Sequence, residues 1–191
     1  MPSYPMPPLD SLIIRPAQPS DSEAIAAIYN ESVAAGNATM DREPWSGNNV
    51  RTKLATAGDR EAWLIAEQPA TWQPQTAPQQ TVVGWGAIKT YSDRWGYRVC
   101  CESSIYLSLN STGQGYGSKL QAALLAKARD LRYHHVVAKI MAANQSSIRF
   151  HQRFGFEIVG CQKEIGYLNG RWHDVVILQL IFPEVIPDEL T

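Results

Sequence analysis

Residues 101–119 read CESSIYLSLNSTGQGYGSK, and the rest of the chain is best read outward from them. The stretch begins inside an apolar run rich in Ile, Tyr and Leu, residues 99–109, that suits a central strand. It ends in a turn with Gly113, Gly115 and Gly117, behind which Leu120, Ala123, Leu124 and Ala128 recur at helical intervals up to residue 131. A strand running through such a turn into a helix brings main-chain N–H groups to the positive end of the helix dipole, with no Cβ in the way. That is a cradle for a diphosphate, although the same turn also serves as a bare strand-to-helix connection. No Gly-Lys-Ser/Thr closes the turn, which disfavours a P-loop. Its late position, after several strands, disfavours a dinucleotide-binding βαβ unit.

Upstream, residues 1–11 are proline-rich and read as a loose arm. A first strand fits residues 12–15. Ser20 and Glu23 have capping-box spacing ahead of an amphipathic helix marked by Ile25, Ile28, Tyr29 and Val33. Residues 37–49 read as a loop, 50–57 as a short helix and 63–67 as a strand. Residues 68–80, rich in proline and glutamine, read as an inserted surface loop. Residues 81–90 form the next strand and 93–97 a turn. Downstream come a buried strand at 135–141, a helix at 146–154 stopped by Gly155, and strands at 156–160 and 174–182 around an Asn169-Gly170 turn. Residues 12–183 thus make one domain, followed by an acidic tail at 184–191. Hairpins alternate with crossovers, so the expected fold is a mixed α/β (α+β) one, a mostly antiparallel central sheet with helices on both faces.

The chain has 191 residues, 45% of them hydrophobic, and a formal net charge of −1. The balance argues against a bulk electrostatic grip on nucleic acid or an anionic membrane. No apolar run is long enough to span a bilayer, and the start, MPSYPMPPLDS, does not read as a secretory signal. Three cysteines, two of them adjacent (Cys100 and Cys101), do not suggest a disulfide framework, and a cytoplasmic location is expected. His134 and His135 point to opposite faces of a strand and have no partner at ligand spacing, so no metal is expected.

The glycine turn resembles the CoA-binding motif of the GNAT acetyltransferases, Arg/Gln-x-x-Gly-x-Gly/Ala, with Gly115 and Gly117 matching and Thr112 standing where Arg or Gln is usual. Residues 144–156, NQSSIRFHQRFGF, resemble the same superfamily's Asn-x-x-Ala/Ser-x-x-Leu/Phe-Tyr/His-x-x-x-Gly-Phe. Residues 164–175, EIGYLNGRWHDV, together with Tyr29-Asn-Glu31 and the run from Glu102 to Tyr106, look like the phosphinothricin acetyltransferase branch. The resemblance covers residues 14–182. It implies acetyl-CoA as co-substrate, a small-molecule amine as acceptor and a homodimer.

By the same resemblance, Glu102 is the general base that takes a proton from the acceptor amine; the residues alone favour a strand-end glutamate paired with Arg94 or Arg98. His151 stands where many of these enzymes have a tyrosine near the departing sulfur, and is otherwise a packing histidine. The resemblance places CoA on Leu107, Leu109, Gln114, Gly115, Tyr116, Gly117, Ser118, Lys119, Asn144 and Ser147, with Asn144 alternatively a helix cap. Candidates for the acceptor pocket are Met40, which stands where the branch commonly has Phe, with Glu43, Trp85, Arg94, Tyr97, Tyr167 and His173. Cys100 and Cys101 raise a covalent ping-pong route against direct attack in a ternary complex. Other readings are a protein N-terminal or lysine acetyltransferase, and a non-catalytic CoA-binding sensor.

Overall fold

In the computed structural model, residues 12–69 and 81–187 are described. The arm at 1–11, most of the inserted loop and the end of the acidic tail lie outside them. The elements run β1 (Ile13–Pro16), α1 (Ser22–Ala35), α2 (Gly47–Ala55), β2 (Ala62–Gln68), β3 (Thr81–Thr90), β4 (Cys100–Leu107), α3 (Tyr116–Asp130), β5 (His135–Met141), α4 (Gln145–Gln152), β6 (Glu157–Leu168) and β7 (Arg171–Ile181). The strands form one 7-stranded sheet in the order β1-β2-β3-β4-β5-β7-β6. Neighbours are antiparallel except β4 and β5. The mixed, mostly antiparallel sheet with helices on both faces is therefore the fold that forms.

Strand alternation sends apolar side chains to two separate cores. Leu64, Ala66 and Ile88 join Leu120, Leu124 and Ala128 of α3 and Ile148 of α4 on one face. Trp63, Ile65, Trp85 and Ala87 meet Ile25, Ile28 and Tyr29 of α1 and Val50 of α2 on the other. On this second face the helices cover the β2–β4 half of the sheet, and the β5–β7 half is left for a cleft.

Several boundaries differ from the sequence reading, each for a local reason. Ser20 does not cap α1: a 3-10 turn at Pro19–Asp21 precedes the helix, and Asp21 instead accepts from the Gln18 N–H at 2.6 Å. The second helix starts earlier, because Ser46 caps it by accepting from the Asn49 N–H at 3.1 Å. The last hairpin is longer than its apolar pattern suggests. Main-chain pairing with β7 carries the edge strand β6 past its polar residues to the Asn169-Gly170 turn, with a bulge between Gln162 and Gly166.

The feature that positions the site is a short ladder. The strands β4 and β5 pair only at Cys100↔His135, Cys101↔Val136 and Glu102↔Val137. Beyond that rung β4 continues beside β3 to Leu107↔Gly84, while β5 continues beside β7 to Met141↔Val175. The two central strands therefore part just after Glu102.

Candidate active site

A 3-10 turn at Leu109–Ser111 and the glycine turn connect β4 to α3. Gly113 and Gly115 take φ of +76° and +83°, a backbone conformation that costs other L-residues strain, and Gly115 is the residue from which α3 starts. The N–H groups of Ser118 and Lys119 are committed to the Gly115 carbonyl at 3.0 and 3.3 Å. Those of Gly113, Gln114, Gly115, Tyr116 and Gly117 have no partner among the described residues. Partnerless donors gathered at a helix start suit an anion. The side chains there serve the loop itself. Gln114 Nε2 donates to the Asn110 carbonyl at 3.0 Å, and Thr112 Oγ1 donates to the Leu109 carbonyl at 3.0 Å. The Tyr116 ring is buried and its hydroxyl accepts from Gln68 Nε2 at 2.5 Å.

Glu102 stands on the last β4–β5 rung. Its carboxylate accepts from Lys139 Nζ of β5 at 2.6 Å, with side-chain exposures of 36% and 43%. The partner is thus neither Arg94 nor Arg98, and the carboxylate is not enclosed in apolar surroundings. Lys139 lines a cleft of about 580 Å³ with Thr39, Met40, Tyr106, Met141 and Ile165 among its walls. The bulge in β6 turns Ile165 and Gly166 towards the loop after α1, and Met40 packs so close to Gly166 that a Cβ there would sit 2.9 Å from its Cε. Behind the cleft, Tyr106 stacks on Trp85 at 4.7 Å between ring centroids and meets Tyr29 edge-on at 5.0 Å. Burial pushes the Tyr106 phenol up to about 12, so this wall stays neutral.

The acetyltransferase (GNAT) domain family matches residues 11–157. The chain belongs to this family. It is 33% identical to the L-amino acid N-acyltransferase MnaT of Escherichia coli, over 90% of this chain and 94% of that protein. It is 34% identical to an L-methionine sulfoximine/L-methionine sulfone acetyltransferase of Pseudomonas paraeruginosa, over 89% of this chain and 94% of the relative. Among solved structures, the GNAT superfamily phosphinothricin acetyltransferase of Sinorhizobium meliloti in complex with acetyl-CoA superposes with a TM-score of 0.77. The two are 29% identical, with 94% of this chain and 98% of that one covered. The chain is an acetyltransferase of the GNAT type, related to phosphinothricin and amino-acid acetyltransferases.

Within this GNAT frame the remaining sequence candidates separate. Asn144 is the cap of α4, accepting from the Ser147 N–H at 3.1 Å and the Ser146 hydroxyl at 2.9 Å through Oδ1. The Leu109 N–H is taken by Glu31 at 2.6 Å, so it is not a spare donor for a ligand, while Leu107 ends β4 where the strands have parted. His151 is core: it is 3% exposed, its Nδ1–H donates to the Ser147 carbonyl at 2.9 Å, and its ring lies edge-on to Phe150 and Phe156. Burial lowers its pKa, which keeps the imidazole neutral.

Of the acceptor candidates, Met40 lines the cleft. Glu43 belongs to a neighbouring shallow hollow with Trp45 and Lys53. Trp85 is 2% exposed, and it supports Tyr106 rather than facing the cleft. Tyr97 lies one ring behind the wall, edge-on to Tyr91 at 5.6 Å, and Arg94 just precedes the 3-10 turn of Tyr97. Tyr167 packs on Trp172 along the outer hairpin, and His173 Nε2–H donates to the Leu168 carbonyl at 3.2 Å.

Burial pushes the Cys100 thiol up to about 11 and raises that of Cys101 further, so neither offers a thiolate near neutrality. Among the described residues no group of three or more His, Cys, Asp or Glu could hold a metal, and no helix is long and apolar enough to cross a membrane. Sequence reasoning missed Lys139. Its signal was a lone cation within the apolar β5 run HVVAKIM.

Proposed function

We propose that this chain transfers the acetyl group of acetyl-CoA to the primary amine of a small acceptor, an amino acid or a phosphinothricin-like analogue, by direct attack in a ternary complex. One arrangement carries the reading: β4 and β5 part at Glu102, its ion-pair partner Lys139 lines the cleft, and five unpaired N–H groups stand at the start of α3. The residues suit acetyl-CoA. The donors from Gly113 to Gly117 form an anion cradle, the parted strands leave the β4 backbone near Leu107 without a β5 partner, and the Asn144 amide Nδ2 has no partner in the described structure. When bound, acetyl-CoA supplies an acyl carbon activated as a thioester.

Glu102 accepts a proton from the acceptor ammonium, directly or through water. The freed amine nitrogen bonds the acyl carbon as the C–S bond breaks, and the proton the nitrogen then loses passes to the leaving thiolate or to water. The raised thiols of Cys100 and Cys101 favour this direct route over a cysteinyl intermediate. Three free cysteines support a reducing, cytoplasmic setting. The exposed apolar side chains of the last hairpin, Ile158, Val159, Tyr167 and Trp172, support pairing as a homodimer.

The test is thiol release from acetyl-CoA across a panel of amino acids, amines and peptides. Glu102→Gln is expected to lower turnover by about 100-fold or more, the range of a lost general base, while CoA affinity stays close to that of the wild type. Wild-type turnover in that variant removes Glu102 from the mechanism. Turnover of peptides alone replaces the small-molecule reading with a protein acetyltransferase.

A further inference from the structure

We propose that Lys139 selects the acceptor class: it binds the α-carboxylate of an amino-acid acceptor once the acceptor's ammonium has displaced it from Glu102. The inference rests on the transferase reading above and deepens it. The only formally charged side chain among the described residues lining the cleft is Lys139, and its Nζ sits 2.6 Å from Glu102 Oε2. For Glu102 to take a proton from an acceptor, an ammonium must reach the carboxylate that now accepts from Nζ.

A simple amine fills only half of that exchange. It claims the carboxylate and leaves the lysine cation without an anion among the described lining residues. An α-amino acid replaces both halves, because by standard bond lengths its own charges lie about 3 Å apart. Its ammonium takes the place of Nζ on Glu102, and its carboxylate takes the place of Glu102 on Nζ. The zwitterion thus exchanges one close ion pair for two matched ones.

Three observations make the exchange accessible. Both partners are more than a third exposed, so the resting pair is of the weak, readily broken kind. The Lys139 ammonium already lies 5.4 Å from the Tyr91 ring centroid, which supports the cation after it leaves Glu102. Nearby cations are otherwise placed: Lys163 donates to Asp174 at 2.8 Å, and Lys89 lies over the Trp63 ring at 5.3 Å. The rest of the lining sets Met40, Val137, Met141, Ile165 and Ile177 beside the polar groups of Thr39, Tyr91, Tyr106 and Gln162, which suits an apolar or weakly polar side chain of moderate size.

The experiment takes the best acceptor from a panel of apolar L-amino acids and compares it with its amide and its decarboxylated amine, by thiol release from acetyl-CoA. Lys139→Met, which keeps an unbranched side chain one atom shorter and removes the charge, is expected to raise KM for the amino acid at least tenfold. KM for the amide and the amine should not rise, because no lysine cation is then left without its anion, and Lys139→Arg should recover much of the loss for the amino acid. Melting temperatures of both variants check that the fold is intact. A parallel change in KM for all three acceptors, or a wild type that acetylates amines but no amino acid, overturns the inference and leaves the transferase reading standing. A wild type that acetylates none of them overturns that reading and this inference with it.

Discussion

Removing the Arg15 guanidinium should destabilise the fold far more than breaking a surface ion pair, and the penalty should fade in acid. Arg15 of β1 donates from Nη1 and Nη2 to the two oxygens of Asp21, at 2.8 and 2.9 Å, and from Nε to Glu67 at 2.7 Å. The carboxylates are 7% and 5% exposed, so Arg15→Met leaves two buried, facing negative charges without a counter-ion. Orphaning a buried charge costs about 3–5 kcal/mol. The 26% exposure of Arg15 lets water reach the site and argues for the lower end, about 3 kcal/mol. For a chain of this size that corresponds to a fall in Tm of roughly 6–12 °C. The hydrogen bonds from Arg15 hold the Asp21 pKa below its ordinary value. That contribution is therefore complete above the unfolded pKa of about 3.9 and is lost as pH falls through the lower folded value. In the variant that contribution of Asp21 is absent, so the gap to wild type is full at pH 7 and narrower at about pH 3. Urea unfolding at both values measures it. A gap under about 1 kcal/mol at neutral pH, the worth of an exposed pair, or one that does not change with pH, refutes the reasoning.

Two further outcomes follow from packing and burial. A Cβ at Gly86 would lie 2.4 Å from Leu124 Cδ1 and 3.0 Å from the Ser104 carbonyl, so Gly86→Ala should cost about 1–3 kcal/mol by overpacking. In a Leu124→Ala background the same change should cost clearly less, and equal costs in a double-mutant cycle of urea midpoints would show that the α3 contact is not the cause. Burial lowers the His151 pKa, so its contribution is full above the unfolded value of about 6.5 and is lost as pH falls below it. His151→Gln should flatten that part of the stability–pH curve and leave thiol release within about threefold; a collapse in turnover without loss of stability returns His151 to the active site.

Local physics made much of the fold legible. The strands Thr81–Thr90 and His135–Met141 lie where apolar patterning puts them, and the glycine turn opens α3 as its spacing implies. His151 had a legible signal too, since Ile148 three residues earlier shares its buried helix face. What could not be read locally was the pairing of β4 with β5. Glu102 and Lys139 are 37 positions apart and meet only because the α3 crossover sets a three-rung parallel register. The cleft is likewise drawn from the loop after α1 and from β4, β5, β6 and β7, so no single periodicity announces it. Trp85 invited a ligand role by its chemistry, yet partners from α1, β2 and β4 decide that it is core.

That register is also what ties the fold to the chemistry. Alternation puts Glu102 on the face of Tyr106 and the cleft, and Cys101 on the face of α3. A slip of one residue in β4 would bring Cys101 to the cleft face and bury the Glu102 carboxylate against Leu124 and Ala128. The slip is opposed from both sides. β3 holds β4 over seven rungs, from Thr90↔Cys101 to Gly84↔Leu107, and each rung would invert the apolar pattern of both cores. The site can therefore tolerate parted strands beyond Glu102, because the position of the carboxylate is fixed by β3 and not by the short ladder to β5.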